Sequence, residues 1–464
     1  MRIDIVSKPK SPLDQSRIRS FIAAYLDRKD LVVCLRVSRD WFKDFVGPVW
    51  HTIDMNTDKK FVDLSCDVLN QYGRFIRKVI NITTYDNVKT LQHPKLDSVV
   101  SMSIANHINP FHRSLELDFI RRCNATLTEL DFRGQAPPSR SPRKVHERDE
   151  NYLDAGILSS CLTPSTGSYH VGSRLVSLSL TGICFSHEGF TTLLRHSPVL
   201  RKLALSNVFV DHFHPGFDQF RDSSVTSLRG SLAEICAPAV FGWTPSLLHQ
   251  FSQLQEWHLT TVDRCSGWGS DTDFSRELAT CCPHLKTLRF DQVTNTDKLS
   301  DLLLDSFREP ESLTFSAKNL SHSMILSLIS HLNTLTTVII TDQCTDATAM
   351  RWLYLIPKSC LHLEVLSMRD LILDIAIVKE HKWGCQDLQE LHVRFRGLED
   401  AQLINRCIKD ICSERKRPYR ARTGDSISSQ VSSYLVEFYY LTTVSLGTTV
   451  YSLPLHYEGR PNEY

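Results

Sequence analysis

The sequence predicts an α/β fold in which short parallel strands alternate with helical segments and stack side by side as a solenoid. Two observations predict this fold. A short phrase of three large apolar residues returns along most of the chain, and several segments between its copies carry apolar residues at helical spacing. Repetition at a near-constant interval indicates a repeat protein and not a compact enzyme domain.

Each copy of the phrase has a large apolar residue, two variable residues, a second apolar residue, one variable residue and a third apolar residue. Because its last two apolar residues are separated by one variable residue, the phrase is typical of a strand with one buried face. Clear copies are Leu175-Val-Ser-Leu178-Ser-Leu180, Leu200-Arg-Lys-Leu203-Ala-Leu205, Leu285-Lys-Thr-Leu288-Arg-Phe290, Leu335-Thr-Thr-Val338-Ile-Ile340, Leu363-Glu-Val-Leu366-Ser-Met368 and Leu388-Gln-Glu-Leu391-His-Val393.

The interval between copies identifies the type of repeat. Copies begin at residues 127, 175, 200, 254, 285, 310, 335, 363, 388 and 441, so most intervals are close to 25 residues and the longest are close to twice that. Leucine-rich repeats have periods of roughly 20–29 residues, with one strand and one helix or tight turn in each. We therefore expect one curved leucine-rich-repeat solenoid over residues 75–450. It should be a horseshoe like that of ribonuclease inhibitor, with a mostly parallel sheet on its concave side.

The repeat makes definite predictions for helices and for the core. Segments 189–200, 299–307 and 322–332 place apolar residues three and four positions apart, which is the spacing of one buried helix face. The central residues of the strand phrases should be buried in successive strands, among them Leu203, Leu288, Leu366 and Leu391.

Two segments interrupt the repeats and predict exposed loops. Residues 135–150 are rich in proline and charge, and residues 413–430 contain a basic run at 415–422 followed by serines. The basic run leaves three interpretations open: a solvated loop, a nuclear-import signal or an anion-binding patch.

The first fifty residues do not fit the repeat and predict a small helical module. We expect Asp14 to cap a first helix and Asp30 to cap a second one that ends at Pro48. The apolar residues assigned to these helices are Ile18, Phe21, Ile22, Tyr25 and Leu26 in the first, and Leu31, Cys34, Leu35, Val37, Trp41 and Phe45 in the second. One interpretation of this module is a helical cap that covers the end of the solenoid.

Residues 11–54 resemble the F-box. Asp30, Leu31, Val37, Trp41 and Trp50 match, in order and spacing, the acidic residue, leucine, valine and two tryptophans that mark that family. The chain departs from the family at Ser11-Pro12-Leu13-Asp14, because F-boxes usually open with leucine, proline and a glutamate.

Together with the repeats, this module makes the chain resemble F-box proteins of the leucine-rich-repeat class, particularly fungal ones. The resemblance implies a substrate-recognition subunit of an SCF-type ubiquitin ligase. Such a protein binds Skp1, and through it a cullin, with the F-box, and binds a protein substrate with the repeats. The Skp1-binding residues that it implies are Pro12, Leu13, Ile18, Ile22, Leu26, Leu31, Val37 and Trp41, of which Trp41 is expected to serve mainly in internal packing.

The substrate would lie on the outward-facing residues of the strand phrases, which flank the central apolar position. These residues are mixed in charge, which favours a protein partner over a phosphate backbone. The candidates are Glu129, Asp131, Arg133, Glu256, His258, Arg289, Asp291, Arg369, Glu390, His392 and Arg394.

Two other functions remain open from the sequence. One is a leucine-rich-repeat scaffold or regulatory binding protein without a ligase role, and the other is a regulator of a nucleotide hydrolase. Both are binding proteins, so an F-box-like start is the feature that separates the ligase interpretation from them.

Composition agrees with a non-catalytic binding protein. The 464 residues carry a net charge of +1 and 42% apolar residues, and they contain no leader-like apolar run or membrane span, so we expect a cytoplasmic or nuclear protein that binds neither nucleic acid nor membrane. No catalytic or metal-binding motif is present, so we expect no enzyme activity, metal or cofactor. The fourteen cysteines include no Cys-x-x-Cys pair, and we expect reduced thiols, many of them buried, as at Cys34, Cys123, Cys281, Cys360 and Cys385.

Overall fold

The structure is a computed structural model, and it is a mixed α/β fold with parallel sheets. It divides into two compact units, Met1–His212 and Phe213–Tyr464, which we call unit 1 and unit 2. The described residues are 12–105, 113–133, 158, 174–181, 184–206, 209–211, 225, 227–230, 251–259, 279–290, 307, 309–316, 322–341, 354–415, 426–438, 440–446 and 449–454.

Unit 1 begins with three helices that form the N-terminal module, by which we mean residues 12–54. After a 3-10 turn at Pro12–Asp14 come α1 (Ser16–Ala23), α2 (Arg28–Cys34) and α3 (Arg39–His51). Ala23, Leu31, Phe45 and Val49 form a small core between them, and the partly buried side chains around it are Ile22, Leu26, Cys34, Leu35, Trp41 and Trp50.

The helix boundaries expected for this module are wrong in three places. Gln15 and not Asp14 is the N-cap residue of α1. Asp27 caps α2 by accepting the backbone N–H of Asp30 at 2.9 Å, so Asp30 lies in the first helical turn. Pro48 lies inside α3 and does not end it. The last turn persists through His51 because Val49 is packed into the core.

A second N-cap divides the long helix that the sequence predicted after residue 30. The Ser38 side chain accepts the backbone N–H of Trp41 at 3.2 Å, and its own backbone is extended, with φ −161° and ψ 170°. The expected single helix is therefore two helices, α2 and α3. The N-cap position favours serine because the serine hydroxyl accepts a backbone N–H that has no partner within the new helix.

The rest of unit 1 consists of strands in chain order with helical turns between them. The strands are β1 (Thr52–Asp54), β2 (Lys78–Ile82), β3 (Ser101–Ala105), β4 (Glu129–Arg133), β5 (Ser177–Thr181), β6 (Cys184–Ser186), β7 (Lys202–Ser206) and β8 (Phe209–Asp211). The helices are α4 (Cys66–Tyr72), α5 (Tyr85–Leu91), α6 (Arg113–Cys123) and α7 (His187–Arg195), with 3-10 turns at Lys59–Phe61, Gly73–Phe75 and Pro94–Leu96. Parallel pairs join neighbouring strands in the order β1, β2, β3, β4, β5 and β7. Separately, β6 pairs in parallel with β8.

Unit 2 continues the same pattern. Its strands are β9 (Ser227–Gly230), β10 (Glu256–Leu259), β11 (Thr287–Phe290), β12 (Ser312–Ser316), β13 (Thr337–Thr341), β14 (Val365–Leu373), β15 (Glu390–Phe395), β16 (Thr443–Ser445) and β17 (Val450–Ser452). Its helices are α8 (His322–Ser330), α9 (Leu355–Ser359), α10 (Ile375–His381), α11 (Ala401–Glu414) and α12 (Ile427–Leu435). Strands β9 to β16 pair in parallel in chain order, and β17 returns antiparallel to β16.

One hydrogen-bond arrangement recurs at the entrance of these strands. The carbonyl of the residue just before one strand accepts two consecutive N–H groups from the entrance of the next strand, at 2.7–3.1 Å. The accepting residues are Arg77, Val100, Thr128 and Val176 in unit 1, and Gln255, Lys286, Glu311, Thr336, Glu364 and Gln389 in unit 2. Successive copies of the sequence phrase therefore have equivalent backbone positions.

Threonine strengthens this arrangement where it occupies the second position of the phrase. The hydroxyls of Thr128, Thr336 and Thr442 donate to the carbonyls of Val100, Glu311 and Gln389, the same oxygens that accept the two N–H groups. A side chain and two backbone groups then satisfy one acceptor, which is why a β-branched hydroxyl residue suits this position.

The core follows the apolar phrase, as predicted. Leu203, Leu288, Leu366 and Leu391 are all buried, with at most 2% of their surface exposed. Leu203 pairs in register with Leu178, and Leu366 with Leu391. The helix expected at 322–332 is confirmed by α8 and the one at 189–200 by α7, while most of 299–307 lies outside the described residues.

Buried thiols occur where the pattern placed them. Cys123, Cys281, Cys360 and Cys385 are buried, and Cys34 is half-buried. Burial raises the pKa of the Cys123, Cys360 and Cys385 thiols to about 12, so these groups stay protonated and act as small apolar residues.

The second expected loop, residues 413–430, is largely helical in its described part. Residues 413–415 belong to the end of α11, and α12 occupies 427–435. Ser426 caps α12, and Val431 and Leu435 are buried on it with Ser428 and Ser432. The serine-rich composition predicted a loop because serine is polar. Serine hydroxyls can nevertheless be buried in a helix when they bond to its backbone, as Ser432 does to the Ser429 carbonyl at 3.1 Å. Residues 416–425 and the other expected loop, 135–150, lie outside the described residues.

Arg415 has a structural role that its place in the basic run 415–422 did not suggest. Its side chain is buried, with 3% of the residue exposed, and its guanidinium donates to the carbonyls of Phe438, Leu441 and Pro454. These contacts join the end of α11 to the segment that carries β16 and β17. Burial lowers the pKa of Arg415 to about 10, which still leaves the group charged at neutral pH.

Within the described residues, none of the helices has the length and apolar character that crossing a bilayer requires.

We predict that changing Leu288 or Leu366 to alanine lowers the free energy of unfolding by about 2–5 kcal/mol, because each truncation leaves a cavity in a packed core. Chemical denaturation monitored by circular dichroism measures the change. Leu361→Ala is the matched control, because the same truncation occurs where 55% of the side chain is exposed. Equal losses at all three positions would contradict the assigned register.

We predict that Arg415→Met lowers the free energy of unfolding by about 2–4 kcal/mol, because it leaves buried carbonyls without the hydrogen bonds that the guanidinium donates. The control is Arg396→Met, whose side chain is 75% exposed. Denaturation curves in which the two variants behave alike would show that Arg415 does not hold the end of unit 2 together.

Candidate partner-binding surfaces

The N-terminal module keeps several candidate Skp1-binding residues inside or against its own core. Leu31 is 6% exposed and belongs to the core, while Ile22, Leu26 and Trp41 pack against it. The Trp41 ring stacks on Phe45, with ring centroids 5.1 Å apart and planes 10° from parallel. These side chains hold the helices together, and their role in binding a partner would be indirect.

A buried ion pair fixes the start of the module. Arg19 is 5% exposed, and its Nε lies 2.6 Å from a carboxylate oxygen of Asp44 on α3. The same guanidinium donates to the Leu13 carbonyl at 2.8 Å, and Ser16 donates to the second oxygen of Asp44 at 2.8 Å. The 3-10 turn that carries Pro12 and Leu13 is thereby attached to both α1 and α3, and the Leu13 side chain is left 45% exposed.

Large apolar side chains are exposed on this module to an unusual degree. Of the seventeen large apolar residues that are exposed in the described part of the chain, seven lie between residues 13 and 42. We call them the exposed apolar set: Leu13, Phe21, Tyr25, Val32, Val33, Val37 and Phe42. The exposed large apolar side chains of the described residues are thus concentrated on one small module.

Only two members of the set, Leu13 and Val37, were candidates from the sequence. The sequence assigns Phe21 and Tyr25 to the apolar residues of the first helix, but they are 67% and 77% exposed, and their ring centroids lie 5.2 Å apart. Apolar spacing identifies a helix without telling which face meets the core, so exposed aromatics on a second face escape detection. Pro12 is exposed and Ile18 is half-buried.

The strand face of unit 1 places the candidates Glu129, Asp131 and Arg133 on β4. Arg133 donates to Asp131 at 2.8 Å and 3.0 Å, and Ser103 on β3 donates to the same oxygen at 3.0 Å. The register partners of these three on β5 are Ser177, Ser179 and Thr181, which are all small. Charged side chains on β4 therefore project from a face of short hydroxyl residues.

In unit 2, register aligns candidate residues across β9, β10 and β11. His258 on β10 has Arg229 on one side and Arg289 on the other as register partners, while Glu256 lies opposite Ser227 and Thr287. Asp291 lies outside the described residues.

The candidates on β14 and β15 form a second cluster in unit 2. Arg369 Nη2 lies 3.5 Å from Nδ1 of His392, and His392 Nε2 lies 3.7 Å from a carboxylate oxygen of Glu390. His392 is 6% exposed, so this candidate on the strand face is a buried residue. Burial and the Arg369 guanidinium lower the pKa of His392, and Glu390 opposes that shift. Arg394 follows on β15 and is half-buried.

No model of a known protein family matches the chain, and no curated protein sequence matches it.

We predict that His392 makes the fold less stable in mild acid. A buried histidine with a lowered pKa binds its proton more weakly in the folded than in the unfolded chain, whose histidine titrates near 6.5. The free energy of unfolding should therefore fall as the pH drops through 6.5 towards the folded-state pKa, and His392→Gln should weaken this dependence.

Denaturation curves at several values between pH 8 and pH 5 measure the effect. His284→Gln is the control, because His284 is exposed. If the His392 variant and the wild type lose the same free energy of unfolding between pH 8 and pH 5, protonation of His392 does not destabilise the folded protein.

Proposed function

We propose that this chain is a substrate-recognition subunit of an SCF-type ubiquitin ligase. Its N-terminal module would be an F-box that binds Skp1, and through it a cullin. Leucine-rich repeats in the rest of the chain would bind a protein substrate. The observation that carries the proposal is the exposed apolar set on a module whose residues also match the F-box pattern.

The repeat part of the proposal is supported by the backbone. Parallel strands follow in chain order within each unit, and equivalent carbonyls recur at the strand entrances. A leucine-rich repeat requires both, since every copy contacts its neighbours through the same positions. We propose that both units are arrays of such repeats.

The Skp1 part of the proposal is supported by exposure. Val33 and Val37 are 63% and 58% exposed, and Phe21 and Tyr25 are more exposed still. Exposing apolar surface to water is unfavourable. A partner that covers it would gain roughly 25 cal/mol of binding free energy for each Å² that becomes buried. An adaptor that covers these side chains would gain most of its affinity there.

A receptor of this type contributes no bond chemistry. It would hold a substrate lysine near a ubiquitin-loaded conjugating enzyme, so that a bimolecular encounter becomes effectively intramolecular. The mixed charge of the strand faces, with Glu129, Asp131 and Arg133 on β4 and Arg369 and Glu390 in unit 2, suits recognition of a folded protein or peptide.

The alternative is a leucine-rich-repeat scaffold or regulatory protein without a ligase role. The unusual order Pro12-Leu13-Asp14 at the start of the module favours it, because the glutamate of typical F-boxes is absent there. In that case the exposed apolar set would bind a protein other than Skp1.

We predict that the double variant Val33→Asp/Val37→Asp of the full chain loses Skp1 in co-precipitation, with recovery reduced at least about tenfold. Two carboxylates placed in an apolar contact would be desolvated without partners, which costs several kcal/mol. Leu31 is unsuitable for this test, because a charge in the core would unfold the module and imitate a loss of binding.

The matched control is Val176→Asp/Val199→Asp, which makes the same chemical change at two exposed valines elsewhere in unit 1. It should recover Skp1 as the wild type does. Undiminished Skp1 recovery with the Val33/Val37 variant would remove the ligase proposal, and absence of Skp1 from the wild-type complex would favour the scaffold.

A further inference from the structure

A solvent-open cavity on the surface of unit 1 has the composition of an anion-binding site. It has a volume of about 440 Å³ and is lined by Arg28, Trp50, Thr57, Asp58, Lys59, Lys60, Phe61 and Leu64. Three cations and one carboxylate line it, which gives a formal charge of +2. Its volume lies within the range of about 300–1,000 Å³ that small-molecule sites usually have.

The positively charged side chains that line this cavity have N–H groups available to a ligand. Lys59 and Lys60 are exposed, and neither has an ion-pair partner among the described residues. Both carboxylate oxygens of Asp58 accept from Nη1 of Arg28, which leaves Nη2 and Nε of that guanidinium for a further acceptor. Arginine and lysine together are well suited to phosphate oxygens.

The wall that carries these donors is held in place by the backbone. Asp58 also accepts the backbone N–H of Asp54 at 3.0 Å, and its own N–H donates to the Asp54 carbonyl at 2.7 Å. The Phe61 N–H in turn donates to the Asp58 carbonyl at 2.7 Å. The backbone that carries Lys59 and Lys60 is therefore in place before any ligand arrives, and Asp58 holds the Arg28 guanidinium beside it, which lowers the entropy cost of binding.

The remaining lining is apolar and aromatic. Trp50 stacks on Tyr72, with ring centroids 5.2 Å apart and planes 6° from parallel, so its ring orientation is fixed. Phe61 is 4% exposed, and Leu64 is half-buried. A planar or apolar ligand group can pack against this wall while anionic groups contact the cations.

We infer that this cavity binds a phosphorylated small molecule. Its phosphate groups contact Arg28, Lys59 and Lys60, and its planar part lies against Trp50. The site is independent of the proposed ligase function, because a scaffold with the same module would contain it too.

Isothermal titration calorimetry on the full chain tests the inference, with ATP and inorganic tripolyphosphate as probes in a magnesium-free buffer of low ionic strength. Both probes should bind at one site, and ATP should bind more tightly because it has a planar group. The variant Lys59→Gln/Lys60→Gln should weaken both affinities about tenfold, as expected for the loss of two charge-assisted contacts.

The matched control is Lys89→Gln/Lys95→Gln, which removes two exposed lysines of unit 1 that do not line the cavity. Its affinities should stay within about twofold of the wild type, and thermal melts should show both variants folded. Equal weakening in the two variants, or no binding of either probe to the wild type, would overturn the site. Equal affinity for ATP and tripolyphosphate would overturn the role given to Trp50.

Discussion

The structure depends on one recurring backbone contact, in which the carbonyl before a strand accepts two N–H groups from the entrance of the next paired strand, as at ten positions of the described residues. A buried backbone acceptor must find donors, and here the neighbouring copy of the phrase supplies them. This requirement places successive phrases in the same register, and the register in turn stacks Leu178 on Leu203 and Leu366 on Leu391. Apolar burial and backbone pairing therefore favour the same arrangement within each unit.

That arrangement explains why the strand faces can vary. The positions that flank each central leucine contribute little to the core, so they carry serine and threonine on β5 and charged residues on β4 and β15. Where such a residue becomes buried, its chemistry changes, as for His392 beside Arg369. Apart from such buried residues, these positions can thus vary with little effect on the fold.

The sequence predicted the strands better than the helices because the strand phrase is read directly from alternation, which has a period of two. It placed Leu203, Leu288, Leu366 and Leu391 in the core correctly. It missed α12, because serines bury their hydroxyls only when backbone acceptors are near, and this depends on the fold. It also missed the structural role of Arg415, since a basic run gives no sign that one member bonds three distant carbonyls.

The same limit applies to the candidate site. The spacing of Asp30, Leu31, Val37, Trp41 and Trp50 singled out one segment, and the structure divides its residues between core and surface. Leu31 and Trp41 hold the helices together, whereas Phe21 and Tyr25, the most exposed members of the apolar set, do not stand out in the sequence from the other apolar residues of the first helix. Which face of a short helix stays open depends on its neighbours, and a single sequence does not contain that information.

The central claim is that the N-terminal module is the surface that Skp1 covers. Hydrogen–deuterium exchange of the full chain, measured with and without purified Skp1, tests it most directly. The account predicts slower exchange of backbone amides within residues 12–54 and unchanged exchange in β10 to β15. Slower exchange confined to the strands, or no change in residues 12–54 at saturating Skp1, would contradict it.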